Sequence, residues 1–141
     1  MSVYADSSVL ASLYILDVHT PAAMRLIAAR ADVWLTPFHE AELAHVLSQG
    51  VFRKNFSQQQ ADIATRDFEH DCSTGFWHRV AFPPDAFESA VSLARHYGAR
   101  VGSRTLDSLH VACALELKAD RFWTFDERQK RLAKAAGLRT S

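Results

Sequence analysis

The sequence predicts an α/β protein with a mainly parallel sheet covered by helices on both faces. Three observations lead there. Short runs rich in β-formers alternate with helix-period segments along the chain. Carboxylates stand where those runs give way to helices. One helical stretch, "RTLDSLHVACAL" (104–115), is apolar on nearly every side, as befits an element packed between layers. With 141 residues, the chain fits one domain over 1–141 and can bury a core without staples.

"SVYA" (2–5) is an apolar, β-prone run that ends at Asp6, and it reads as the first strand. "SSVLASLYIL" follows with Leu10, Leu13 and Ile15/Leu16 on one helical side. Pro21 suits a first helical turn, so residues 21–30 read as a second helix. "DVWLT" (32–36) is a second strand. Pro37 then opens a helix with Phe38, Ala41, Val46 and Leu47 on its apolar side, ending near Gly50. Residues 57–72 form the most polar helix, with Ser57 as N-cap. "FWHRVAF" (76–82) reads as an edge strand broken by Pro83-Pro84, and residues 85–97 as a helix ending at Gly98. After the apolar helix come a strand, "DRFWTF" (120–125), a helix, "DERQKRLAKAA", closed by Gly137, and a short last strand, "LRT".

Composition excludes several classes. Hydrophobic residues make up 48% and charged residues 23%, as in ordinary globular proteins. No apolar run is long enough to span a bilayer, and "MSVYADSSVL" lacks the basic start of a signal peptide. Cys72 and Cys113 have no metal-type spacing and fit a reducing, cytoplasmic setting. Net charge is zero but uneven: residues 91–141 hold 10 Lys/Arg against 5 Asp/Glu, a net of +5. A basic C-terminal third favours a phosphate-bearing partner, although a solvated mixed surface accounts for such charges equally well.

Four carboxylates call for explanation. Asp6 sits at the exit of the first strand and Asp126 at the exit of "RFWTF", and parallel sheets gather functional groups at that edge. Asp107 lies in the first turn of the apolar helix. Glu42 lies about a turn and a half into the helix after the second strand; it is preferred to its competitor Glu40 because the apolar pair Leu43-Ala44 follows it and puts it nearer the packed side. Acids that converge repel one another unless a cation joins them, and carboxylate oxygens are what Mg²⁺ or Mn²⁺ takes. Such ions lower the pKa of a bound water and clamp phosphodiester oxygens.

Each acid also has a structural reading. Asp6 can cap the helix starting at Ser7, Asp126 with Gln129 resembles a capping box, and Asp107 suits a helix dipole. His110 shares a face with Asp107 and reads first as a core histidine. The seven histidines have no zinc spacing. No nucleophile elbow, P-loop or dinucleotide fingerprint occurs, and Phe122-Trp123 reads as core rather than as a base-stacking surface.

With these residues in place, the chain resembles PIN-domain proteins, and more closely the VapC-type toxins of bacterial toxin–antitoxin pairs. The segments that carry the resemblance are "VYADSSVLASLY", "TPFHEAELAHVLSQGVFR" and "SRTLDSLHVACALELKADRFWTFDERQKRLAKAAGL". They put the family's acids on Asp6, Glu42, Asp107 and Asp126, with Thr124 in its T-x-D position; "DFEHD" (67–71) is a departure with no evident RNA contact.

The resemblance implies a three-layer α/β/α sandwich, a Mg²⁺ or Mn²⁺ site and endoribonuclease activity on RNA. It also implies a homodimer and a small VapB-like antitoxin. On that reading the four acids hold the ion, Asp6 and Asp107 most directly. Ser7 and Thr124 orient them, and Arg104, Arg128 and Arg131 meet the RNA backbone. Two other readings stay open: a PIN nuclease in RNA processing without an antitoxin, and a receiver-like or binding α/β module. A receiver requires an acid pair at the first strand's end, where this chain has only Asp6.

Overall fold

The computed structural model describes residues 1–29 and 32–140. Five parallel strands form one sheet: β1 (Ser2–Ala5), β2 (Asp32–Leu35), β3 (His78–Arg79), β4 (Arg121–Trp123) and β5 (Arg139–Thr140), in the order β3-β2-β1-β4-β5. Val3 pairs with Val33 on one side of β1, and Tyr4 pairs with Phe122 on the other. β1 is therefore central and buried on both faces, which is why "VYA" reads as an unbroken apolar run.

Eight α-helices among the described residues connect and cover the strands: α1 (Ser7–Tyr14), α2 (Thr20–Ala28), α3 (Pro37–Phe52), α4 (Gln58–Ser73), α5 (Ala86–Leu93), α6 (Ala99–Val101), α7 (Thr105–Glu116) and α8 (Glu127–Ala135). Alternating strand side chains divide the core between two layers. Val3, Ala5, Val33, Leu35 and Trp123 pack with Leu10, Leu43, Leu47 and Phe68 of α1, α3 and α4. Tyr4 and Phe122 pack with Leu93, Leu109, Val111 and Leu132 of α5, α7 and α8. The three-layer α/β/α expectation holds. Residues 108–114 of α7 are all buried, which explains why that helix has no polar stripe.

Several boundaries differ from the sequence reading, and three are instructive. The edge strand shrinks from 76–82 to His78–Arg79, because only Trp34↔His78 and Leu35↔Arg79 pair with β2. The helix expected to stop at Gly98 passes through a π-helical turn (Ala94–Gly98) into α6 and ends at Gly102. Gly98 keeps right-handed helical angles, whereas Gly102 takes the left-handed conformation that stops a helix, with φ +72°. The helix expected over 21–30 runs Thr20–Ala28, and its expected last residue, Arg30, lies outside the described residues.

The start of α3 is tied to the sheet by one buried histidine. Thr36 caps the helix, and His39 occupies the place that Glu or Gln usually fills in a capping box. His39 Nδ1 accepts the Thr36 backbone N–H at 2.9 Å, and Nε2–H donates to the Ala5 carbonyl at 2.8 Å. α3 is thereby clamped to the end of β1, and Glu42 follows one turn later.

Candidate active site

The chain leaves β1 toward β2 on one side and returns to β4 on the other, so the β1/β4 boundary is a topological switch point. A cleft of about 370 Å³ opens there, at the carboxyl ends of the strands. Asp6, Glu42, Asp107 and Asp126 all line it, together with Ser7, Ser12, Asp17, His19, His110 and Gln129. Four carboxylates from β1/α1, α3, α7 and β4/α8 thus converge, as their positions relative to the strands predict.

Asp6 is buried and serves two purposes. Oδ1 caps α1 by accepting the N–H groups of Ser8 (3.1 Å) and Val9 (3.2 Å) and the Ser8 hydroxyl (2.6 Å). Oδ2 turns to Thr124, whose hydroxyl lies at 2.8 Å. Burial pushes the Asp6 carboxyl above its ordinary value; the hydrogen bonds of Ser8, Thr124 and Val9 and the neighbouring His110 offset this only in part.

Glu42 Oε1 accepts the Ser7 hydroxyl at 2.8 Å and a hydrogen bond from His110 Nε2. Burial raises the Glu42 carboxyl, but His110 and Ser7 outweigh it, and the group stays below its ordinary value. Glu42 lines the cleft, whereas Glu40 is not among its lining residues and pairs with Arg79. His110 is a core histidine, as expected, and also a contact of a cleft acid. On the other side of the ring, His110 Nδ1 lies 2.8 Å from the Tyr4 phenol oxygen. Burial holds that phenol well above its ordinary value, so Tyr4 remains a donor. Phe38 stacks on the imidazole with centroids 4.2 Å apart.

Asp126 caps α8 by accepting the Gln129 N–H at 2.9 Å, but the capping box is only half formed. Gln129 Oε1 lies 2.7 Å from the Thr124 hydroxyl instead, and Nε2 donates to the Asp107 carbonyl at 3.3 Å. Thr124 accepts the Asp126 N–H at 3.0 Å, so one hydroxyl joins Asp6, Asp126 and Gln129. Asp107 stands outside the buried stretch 108–114 of α7: its side chain is 20% exposed and faces Arg104 Nε at 3.4 Å. The carboxylate at the start of a buried helix is tolerated because that first turn opens onto the cleft.

The donor set consists of hard oxygens, which suits Mg²⁺ or Mn²⁺ rather than a soft metal. Glu42 Oε2, Asp107 Oδ1 and Asp126 Oδ2 accept no hydrogen bond among the described residues. As the side chains stand, no three His, Cys, Asp or Glu groups among the described residues close to direct-ligand distance around one point. Mg²⁺ keeps several waters and needs only one or two direct carboxylates, so it is the oxygen donor set, and not a closed ligand cage, that suits a partly hydrated ion. Sequence reasoning missed Asp17, His19 and Gln129 in the lining. Asp17 and His19 lie in a loop with no motif, and Gln129 had been absorbed into a cap.

Acids gathered at the switch point of an open parallel sheet define an α/β protein with a carboxylate-lined cleft. A family model described as the PIN domain matches residues 3–135, and the chain belongs to the PIN-domain family. No curated protein matches the sequence. Among solved structures it is similar to VapC20 of Mycobacterium tuberculosis, a toxin that cleaves the sarcin-ricin loop, with TM-score 0.67 and 18% identity over 96% of this chain and 95% of that one. It is also similar to VapBC2 from Rickettsia felis bound to a DNA fragment from its promoter, with TM-score 0.66 and 14% identity over 100% and 98% of the two chains. FitAcB from Neisseria gonorrhoeae gives TM-score 0.68 and 12% identity over 98% and 95%. At these identities the likeness establishes the shared fold. No helix among the described residues is long and apolar enough to cross a membrane.

Proposed function

We propose that the protein is a VapC-type endoribonuclease, a single domain over 1–141, that depends on Mg²⁺ or Mn²⁺ and is restrained by a small antitoxin. The observation that carries this reading is the convergence of Asp6, Glu42, Asp107 and Asp126 in one cleft of a PIN-family chain. Asp6 and Asp107 hold the ion most directly, and Glu42 and Asp126 complete the site directly or through water. A divalent ion bound there supplies Lewis-acid polarisation of the phosphodiester and an acidified water.

The chain's own residues do the rest. Ser7 and His110 fix the Glu42 carboxylate, and Thr124 fixes Asp6 against the start of α8. The buried Asp6 carboxyl, raised by desolvation, is charged at least cost when a cation shares the cleft. Arg104, at the cleft lip beside Asp107, meets the RNA backbone, and Arg128 and Arg131 extend the basic surface. The fold's likeness to VapBC2 and FitAcB supports a partner protein. So does an apolar groove of about 570 Å³ between α1, α3 and α4, lined by Tyr14, Ile15, Leu16, Val46, Phe56 and Ile63. Leu16 in this groove is close to fully exposed, as is Phe52 at the end of α3, which suits a homodimer or antitoxin face.

The test is cleavage of a mixed RNA pool with Mg²⁺, Mn²⁺ or EDTA, comparing the wild type with Asp107→Asn. Asp107 is half-buried and Asn keeps its shape, so the variant folds. Metal-dependent cutting by the wild type and its loss in the variant are expected. Full cutting by folded Asp107→Asn refutes the assignment.

A further inference from the structure

The lip of the cleft carries an aromatic pair that acid chemistry does not use. The His19 imidazole lies flat on the Phe125 ring, with centroids 4.5 Å apart and planes 10° from parallel. Phe125 is partly buried against the core, so it is a fixed base for the stack. His19 is exposed and lines the same cleft as the four acids. Phe125 covers one face of the imidazole, and the residue remains exposed to the cleft. The ring does not serve the helix it precedes, since His19 stands at the N-cap of α2 but makes no side-chain capping bond.

The loop that carries it is held by hydrogen bonds. Asp17 Oδ1 accepts the His19 N–H at 2.8 Å, and Asp17 Oδ2 accepts the buried Ser12 hydroxyl at 2.9 Å. Thr20 Oγ1 accepts the Asp17 N–H at 2.9 Å and donates to the Ser12 carbonyl at 2.7 Å. Both carboxylate oxygens of Asp17 are therefore occupied in holding the loop. On the other side of the stack, Phe125 sits between Thr124 and Asp126, and both belong to the acid network. The stack is thus held in register with the acids from both sides.

An exposed, pre-positioned planar ring on a rigid aromatic base is what a splayed nucleobase stacks on, and every base has a π-face to offer. We infer that His19, backed by Phe125, is a stacking subsite for the nucleobase beside the scissile phosphodiester of single-stranded RNA. The inference rests on the nuclease reading and deepens it: the substrate is an unpaired strand or loop, with a neighbouring base held outside the RNA stack.

The probe is a short single-stranded oligoribonucleotide carrying 2-aminopurine at one position. It is compared with the same strand made abasic there, and the position is moved along the sequence. Binding is measured by fluorescence, with cleavage suppressed by Ca²⁺ and, separately, by an Asp107→Asn background. At one position the full-length protein quenches the fluorophore and prefers the intact base over the abasic strand by about 5- to 150-fold, the range expected for one stacked base. His19→Ala loses both the quenching and the preference, and His19→Phe restores them because it keeps the planar surface. Unchanged thermal melting of His19→Ala separates these losses from misfolding. If His19→Ala binds and discriminates like the wild type while the wild type cuts the mixed pool with metal, the stacking subsite is wrong and the nuclease reading stands. If the wild type neither binds nor cuts RNA, both fall together.

Discussion

His39 makes the fold sensitive to acid in a calculable way. It is fully buried, its Nδ1 accepts the Thr36 N–H and its Nε2–H holds the Ala5 carbonyl. A second proton on Nδ1 breaks the cap and places a charge in the core. Burial, reinforced by the nearby His110, accordingly lowers the His39 pKa from 6.5 to about 3. An unfolded chain takes up this proton near pH 6.5, and the folded one does not until about pH 3. Between those values the unfolded state binds more protons, so stability falls as pH falls, and it is fully present above pH 6.5. The slope approaches about 1.4 kcal/mol per pH unit below pH 6.5, which gives about 2.3 kcal/mol between pH 6.5 and 4.5.

The variant to compare is His39→Gln, because glutamine at this helix position accepts the cap N–H as Gln60 does for Ser57. It leaves the Ala5 carbonyl unpartnered, so at pH 7 the variant is less stable by about 1–3 kcal/mol. Asp6 acts in the opposite sense, since its raised carboxyl costs stability above its ordinary value, but both proteins carry it and it cancels. Urea unfolding across pH 7 to 4.5 then shows the stability difference moving by about 2.5 kcal/mol in favour of His39→Gln, enough to close the gap or reverse its sign. A gap that does not change with pH refutes a buried, neutral His39.

Three further outcomes are expected. Gly50→Ala destabilises by about 1–3 kcal/mol despite better helix propensity, because a Cβ there meets the Phe56 ring, with Cε2 at 2.9 Å and two ring atoms closer; urea unfolding measures it. Tyr4→Phe leaves His110 Nδ1 buried without its phenol partner and costs about 1–3 kcal/mol, read as a lower Tm. Thr124→Val keeps the volume but removes the hydroxyl shared by Asp6, Asp126 and Gln129, costing about 1–3 kcal/mol and weakening Mn²⁺ binding by calorimetry.

Much of this molecule is local chemistry and was therefore legible in one dimension. Strand runs, proline starts and caps such as Ser57 depend on near neighbours along the chain, and they placed the sheet, the helices and the positions of Asp6 and Asp126 at strand exits. The stopping point at Gly102 was not legible, because sequence does not say which of two glycines takes the left-handed conformation. Spacing favoured Glu42 over Glu40, but what each side chain meets was not legible. The two differ by two residues, about 200° of helical rotation, and with His39 holding α3 to Ala5, Glu42 lines the cleft while Glu40 meets Arg79. Pairs such as Thr124 with Asp6, Glu42 with His110 and His19 with Phe125 join residues 68 to 118 positions apart. Side-chain periodicity reports which way a residue points from its own element. What it meets there depends on how the sheet order stacks distant elements, and that is set by burial of the whole core at once.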